Sequence, residues 1–303
     1  MKKYLVIYYS QTGQTQHAAS LLEENLSSTG TVDTLQLIPE ERFPFPWGFR
    51  DFFAVFQRCI LGQPCKLKPF ALSGQDYDTV FLLAQVWFLS PSLPIQGFLK
   101  SPDAEFLRNT PVHLVLTCRN MWLSAAADIK KYLDRLGAEL RDITTLEDSS
   151  PPWVSFITTP AWLIKGKKQF LKFREAGIDQ KAYDKFVSDI KDKVNHGTPE
   201  LPAPMSVRAN KIESMVNTVI MEILARKLFG IWARILHGTR TPIFSKVLQM
   251  GFRLNLISLI VALLLVLPIL RLFFANRFYR IVHNQFSRLA VSFKFGEGAP
   301  WYT

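Results

Sequence analysis

YYSQTGQTQH, residues 8–17, closes an apolar run with six residues, Ser10 to Thr15, that are all hydroxyl, amide or glycine and carry no charge. Residues 4–9 form a continuous apolar run rich in aromatic and β-branched residues, the pattern of a strand covered on both faces. From residue 16 to 26 the apolar positions are Ala18, Ala19, Leu21, Leu22 and Leu26, a helical spacing. The six polar residues therefore read as a strand-to-helix turn, which gathers free backbone N–H groups where the helix dipole favours an anion. Ser10, Thr12 and Thr15 add hydroxyl donors, and Gly13 lets the backbone come close or take positive φ. No Lys follows the glycine and there is no GxGxxG, so neither a triphosphate loop nor a dinucleotide fingerprint is indicated. Neutral donors suit a buried phosphate monoester; an ordinary polar turn with a Ser or Thr cap would use the same residues.

Outward from this turn the chain alternates. Further strands are expected at 32–37, 79–86, 112–117 and 139–146, and helices at 125–136 and 181–193. Strand and helix in alternation imply an α/β fold, a doubly wound five-stranded parallel sheet with its ligand site at the carboxyl ends of the strands. The polar turn is at that end of the first strand.

Three loops now carry a resemblance. SQTGQT fits the flavodoxin phosphate loop, [ST]-x-T-G-x-T, directly after the first strand. QVWFLSPSLPIQGFLKSP follows the third strand and is similar to the aromatic, proline-rich second flavin loop of flavodoxin-like proteins. TCRNMW follows the fourth strand, in the place of their third flavin loop. The resemblance covers about residues 1–195 and implies FMN, with Ser10, Gln11, Thr12, Gly13, Gln14 and Thr15 on the phosphate. It places Trp87, Phe88 and Leu89, then Thr117, Cys118, Arg119, Asn120 and Trp122, around the ring, where aromatic neighbours favour burial of a flat heterocycle.

A narrower resemblance joins FPFPWGF (43–49), CRNMW (118–122) and FITTPAWLIKGKK (156–168) with a long apolar tail. This combination is similar to the flavodoxin-like proteins of bacterial dialkylresorcinol and aryl polyene clusters, known as condensing enzymes or aromatases. It implies an FMN-dependent oxidoreductase that dehydrogenates a dialkylcyclohexanedione to a resorcinol at a membrane. Two other classes fit the same residues: a membrane-tethered electron carrier, and a non-catalytic partner of a ketosynthase. The partners implied are a lipophilic small molecule, membrane lipid and a ketosynthase or redox protein.

Arg119 departs from the glycine, acidic or small residues usual in the third loop. Near the pyrimidine edge it would stabilise an anionic reduced flavin and act as the catalytic residue; alternatively it pairs with an acid such as Asp128. Cys118 in the same loop is a weak candidate nucleophile, since of five histidines only His17 is expected at that end of the sheet and His113 begins the fourth strand. Cys59, Cys65 and Cys118 form no CxxC pair, which argues for a reduced compartment and against a structural metal site. In the insertion after the second strand, Phe49, Phe52, Phe53 and Phe56 share one helix face, as core over the sheet edge or as an apolar lid. The segment with Thr158, Thr159, Pro160 and Trp162 is a candidate for the same mouth.

The opening MKKYLVIYYS has too short an apolar core for a signal peptide and lacks a small-residue cleavage site, so it reads as mature protein. Residues 1–194 are expected as the flavin domain, 195–206 as a Pro- and Gly-rich linker, and 207–303 as a helical region. The net charge of +11 is concentrated there: residues 197–303 hold 13 Lys and Arg against 4 Asp and Glu. Leu254 to Leu270 carries no charge, and the apolar segment reaches residue 275. Twenty-two helical residues span about 33 Å, enough for a hydrocarbon core of about 30 Å. Basic charge beside an apolar helix predicts attachment to anionic lipid, at the cytoplasmic face of the inner membrane. A buried helix in an oligomer is the other reading, and no nucleic-acid motif accompanies the charge.

Overall fold

A computed structural model of the protein describes residues 1–72, 74, 76–148, 154, 158, 162–163, 165–166, 177–195, 209–238, 242–287 and 289. The first half alternates as expected: β1 (Lys2–Tyr8), α1 (Gln14–Leu26), β2 (Gly30–Gln36), α2 (Phe49–Leu61), β3 (Thr79–Trp87), a two-residue β4 (Ser90–Pro91), α3 (Leu93–Leu99), a 3-10 turn (Pro102–Leu107), β5 (Pro111–Cys118), α4 (Leu123–Leu136) and β6 (Glu139–Glu147). Beyond the largely undescribed stretch 149–176 come α5 (Gln180–Asn195), α6 (Ala209–His237) and α7 (Pro242–Ser287).

The five long strands are all parallel, in the order β2-β1-β3-β5-β6. Without the short antiparallel β4 this is the flavodoxin-like doubly wound order, whose reversal lies between β1 and β3. The two central strands are buried on both faces. Leu5, Ile7, Val80, Leu82 and Ala84 meet α3 and α4, whereas Tyr4, Val6, Phe81 and Leu83 meet α1 and α5. Period-two alternation thus divides one apolar run between two cores, which explains why residues 4–8 of β1 and 80–84 of β3 carry no charge.

The C-terminal helices are not held at arm's length from this body. Phe53 and Phe56 of α2 pack against Ala233, Leu236 and Phe252, with Phe56 5.3 Å from Phe229 and 5.0 Å from Phe252 between ring centroids. The aromatic face of α2 thus joins two bodies: Phe52 packs on the core of the sheet, while Phe53 and Phe56 seat α6 and α7. Of the linker expected at 195–206, Asn195 ends α5 and the remainder falls outside the described residues. The expected membrane segment 254–275 falls within α7, whose helical geometry breaks at Phe274 (φ −127°). Beyond that break Phe286 packs on Trp122 at 5.9 Å. Among the described residues no helix is long and apolar enough to cross a membrane.

Candidate functional site

β1, β3 and β5 all end at one cavity of about 320 Å3. Gln11, Thr12 and Gln14 reach it from the β1–α1 turn, Gln85 to Leu89 from the end of β3, and Thr117 to Met121 from the loop after β5. Phe45 and Trp47 of the insertion, with Trp162 and Leu163, form an aromatic wall; the Phe45 and Trp162 rings meet edge-on at 5.4 Å. Met221, Ala225 and Phe229 of α6 and Leu256 and Leu259 of α7 close the far end with purely apolar side chains.

The polar turn leads from β1 into α1 through Gly13. Gly13 has φ 86°, and an added Cβ would meet nothing within 4 Å, so glycine is needed there for its dihedral and not for space. Its N–H donates to Ser10 Oγ at 3.1 Å, and the first intrahelical bond of α1 runs from His17 to Gly13. No side-chain cap covers the N-terminus of α1 and its first turn holds no acid, so the end of the helix keeps its positive potential. Ser10 and Gly13 shape this turn without lining the cavity. Thr15 lies beneath it, fully buried, sharing a 2.9 Å hydrogen bond with the Thr117 hydroxyl. That bond ties the start of α1 to the end of β5.

After β3 the expected second loop is a tight hairpin: Val86 and Trp87 pair with Pro91 and Ser90, leaving Phe88 and Leu89 as the turn. Both have positive φ, 52° and 62°, a conformation that normally selects Asn and Gly. For bulky residues this costs about 1–3 kcal/mol each. Burial offsets it: the Phe88 ring stacks on Trp47 at 5.5 Å and meets Phe52 at 4.9 Å and Phe56 at 5.3 Å. Trp87 is packed edge-on against Trp47 at 5.2 Å and Tyr9 at 5.7 Å.

Three polar atoms on the cavity wall are buried without a hydrogen-bond partner: Trp47 Nε1, Gln85 Oε1 and Asn120 Nδ2. An orphaned buried group costs about 1–3 kcal/mol, so these two donors and one acceptor on wall residues would gain from a polar ligand that reached them.

Arg119 lines the cavity, but its charge is already matched. Nη1 pairs with Asp148, whose side chain is 1% exposed, and Nη2 donates to Thr158 Oγ1 at 2.6 Å. Asp148 also accepts from the Gly177 N–H at 2.7 Å. The acid expected as its surface partner, Asp128, instead accepts from Arg226 of α6 at 2.5 Å. Burial lowers the Arg119 pKa to about 10, which leaves the guanidinium charged at neutral pH. Trp122 is a second correction: its Nε1 donates to Glu147 at 2.9 Å and its ring packs on Phe286, so it does not line the cavity. Cys118 lines it, yet burial, with Glu147 and Glu222 nearby, pushes its thiol pKa well up, the reverse of an activated nucleophile. His17 is exposed on α1 against Tyr183, and His113 is buried near the start of β5 with Asp142 at 3.9 Å. Among the described residues no group of His, Cys, Asp and Glu is arranged to hold a metal ion.

Sequence patterns pointed to ten of these wall residues, and to Trp162 through the later segment; in the insertion the wall is Phe45 and Trp47, not the Phe49, Phe52, Phe53 and Phe56 face read as a lid. Thr159 and Pro160 fall outside the described residues. Gln85 and the α6 and α7 positions were missed, the former because it sits inside an apolar strand and the latter because distant helices carry no local sign of their target.

No family model and no curated protein matches the chain. Among solved structures it is similar to a flavoprotein in complex with FMN from Lactobacillus acidophilus (19% identity, 48% of this chain and 93% of that one, TM-score 0.40). It is also similar to a protein taken to be a flavoprotein from Bacteroides uniformis (20% identity, 52% and 98%, TM-score 0.41) and to an archaeal flavodoxin (12% identity, 65% and 100%, TM-score 0.34).

Proposed function

We propose that the cavity is an FMN site and that the chain is a flavin-dependent oxidoreductase acting on a lipophilic ring substrate at a membrane surface. The observation that carries the reading is the convergence of three strand-end loops on one void with an uncapped helix N-terminus and three orphaned polar atoms. The turn at Gln11 to Thr15 would hold the phosphate, and Trp47 Nε1, Gln85 and Asn120 the heterocycle edge. Bound there, FMN would supply a two-electron acceptor. The chain's own part is to exclude water with Phe45, Trp47, Trp87 and Trp162, and to align an apolar substrate against the side chains of α6 and α7.

The finer reading is dehydrogenation of a dialkylcyclohexanedione to a resorcinol, a loss of two hydrogens from the ring. Arg119, held by Asp148, would add a fixed positive charge at the wall. The apolar far end supports a small-molecule substrate over a carrier that exchanges electrons at an exposed edge. Attachment to anionic lipid is supported by α7: Leu254, Ile257, Val261, Leu265, Ile269 and Phe273 are each at least half exposed at helical spacing, with exposed Arg277 and Arg280 following. Free thiols at all three cysteines suit the cytoplasmic side of that membrane.

The test is the visible spectrum of the full chain in mild detergent, with and without added FMN. Bands near about 370 and 450 nm, and loss of affinity in Thr12→Ala combined with Gly13→Val, are expected. A protein that binds no FMN would remove the redox reading. Turnover of the dione by wild type, lost in Trp87→Ala with flavin retained, would separate the enzyme from a carrier or a ketosynthase partner.

A further inference from the structure

We propose that α6 is a structural part of the cofactor site, with Arg226 and Glu222 as positioning residues that hold the second and third loops in place. Arg226 donates from Nη1 to the Leu89 carbonyl at 2.9 Å and to the Ser90 hydroxyl, and from Nη2 to Asp128 of α4 at 2.5 Å. It therefore grips the hairpin at its left-handed residue, where the backbone has most to gain from leaving. Glu222, 2% exposed, accepts from the Leu123 N–H at 3.3 Å and the Ser124 N–H at 2.5 Å. These are the first amides of α4, whose N-cap position is Trp122 with no side-chain cap, so a carboxylate from a helix about a hundred residues later does the capping.

The two residues are four apart and so share a face of α6. Between and beside them Met221 and Ala225 line the cavity. One face of one helix thus supplies a wall, a clamp on the loop after β3 and a cap at the end of the loop after β5. The consequence for FMN rests on the proposal above; the bracing itself does not.

The experiment uses the full chain in mild detergent, as wild type, Arg226→Ala, Arg226→Lys, Asp128→Asn and Glu222→Gln, with thermal unfolding recorded for each. Amide exchange is followed without ligand, and FMN affinity and band shape by flavin fluorescence and absorption. Arg226→Ala should speed exchange at residues 88–90 and weaken FMN about tenfold or more, the size set by losing charged hydrogen bonds. Arg226→Lys should restore part of both, and Glu222→Gln should speed exchange at 123 and 124. The α1 amides at 18–22 should not change. Should Arg226→Ala fail to fold, Asp128→Asn removes one contact and leaves the other two. Unchanged exchange at both loops, or faster exchange with FMN affinity and spectrum as in wild type, would overturn the proposal. A wild type that binds no FMN would count against the flavin reading, while the exchange data still decide whether α6 braces the loops.

Discussion

Replacing Arg119 by Met tests whether its charge is structural. Asp148 is 1% exposed and Arg119 16% exposed at the side chain, so the pair is largely removed from water. Breaking a buried pair from one side costs about 3–5 kcal/mol, most of it the penalty of the carboxylate left behind. Asp148 keeps the Gly177 N–H, and Arg119 is not fully desolvated, which places the expected loss at the lower end, about 3 kcal/mol. That is roughly a hundredfold in the folding equilibrium. Urea unfolding of Arg119→Met, Asp148→Asn and the double variant reads it directly. If the uncompensated carboxylate dominates, the double variant is more stable than Arg119→Met alone, because neutralising Asp148 removes the penalty. Additive losses, or an Arg119→Met cost below about 1 kcal/mol, would refute the reasoning and return Arg119 to a role on the ligand.

Burial raises the Glu222 pKa above its ordinary 4.5. A raised folded-state value contributes stability that is complete below the unfolded pKa and is lost as pH rises through the folded one. Wild type should therefore lose stability relative to Glu222→Gln as pH rises from 4.5, read by denaturant midpoints at successive pH values. Burial also pushes the thiols of Cys59, Cys65 and Cys118 up, Cys65 to about 12, so none should react with an aromatic disulfide reagent at pH 8 until the chain unfolds. Thr15→Val leaves the buried Thr117 hydroxyl without its 2.9 Å partner and should cost about 1–3 kcal/mol, with FMN affinity falling as the turn loosens. Asn at both Ile257 and Leu265, which are 58% and 67% exposed, should reduce co-sedimentation with anionic vesicles without changing the unfolding midpoint.

The sheet was legible because β1 and β3 are buried on both faces and so wrote unbroken apolar runs, and the turn at Ser10 to Thr15 because a helix N-terminus demands small donors beside a glycine. The second loop was legible only as a location. Its hairpin was hidden because Phe88 and Leu89 are among the last residues expected at positive φ; it forms because Trp47, Phe52 and Phe56 bury the ring that the strained turn presents. Arg119 lines the cavity, as its loop position suggested, but its partner was not legible: Asp148, and not the alternative Asp128, becomes its neighbour only when β5 and β6 lie side by side.

The C-terminal helices, expected as a basic region after a linker, pack on α2, on the hairpin after β3 and on the start of α4. On an apolar helix, Glu222 and Arg226 look like ordinary solvated charges, yet both are consumed by the loops that line the cavity. A tail that only anchored the chain would need no buried carboxylate. Here α6 caps α4, grips the hairpin and walls the void, while α7, which shares that wall through Leu256 and Leu259, turns Leu254 and Ile257 outward. The same helix thus faces the candidate substrate chamber on one side and the apolar exterior on the other. Whatever α7 rests upon is one helix thickness, roughly 10 Å, from the cavity. Attachment and ligand entry would then be two uses of one element, and the Asn variants of α7 should lower turnover of a vesicle-borne substrate while sparing that of a short-chain, water-soluble one.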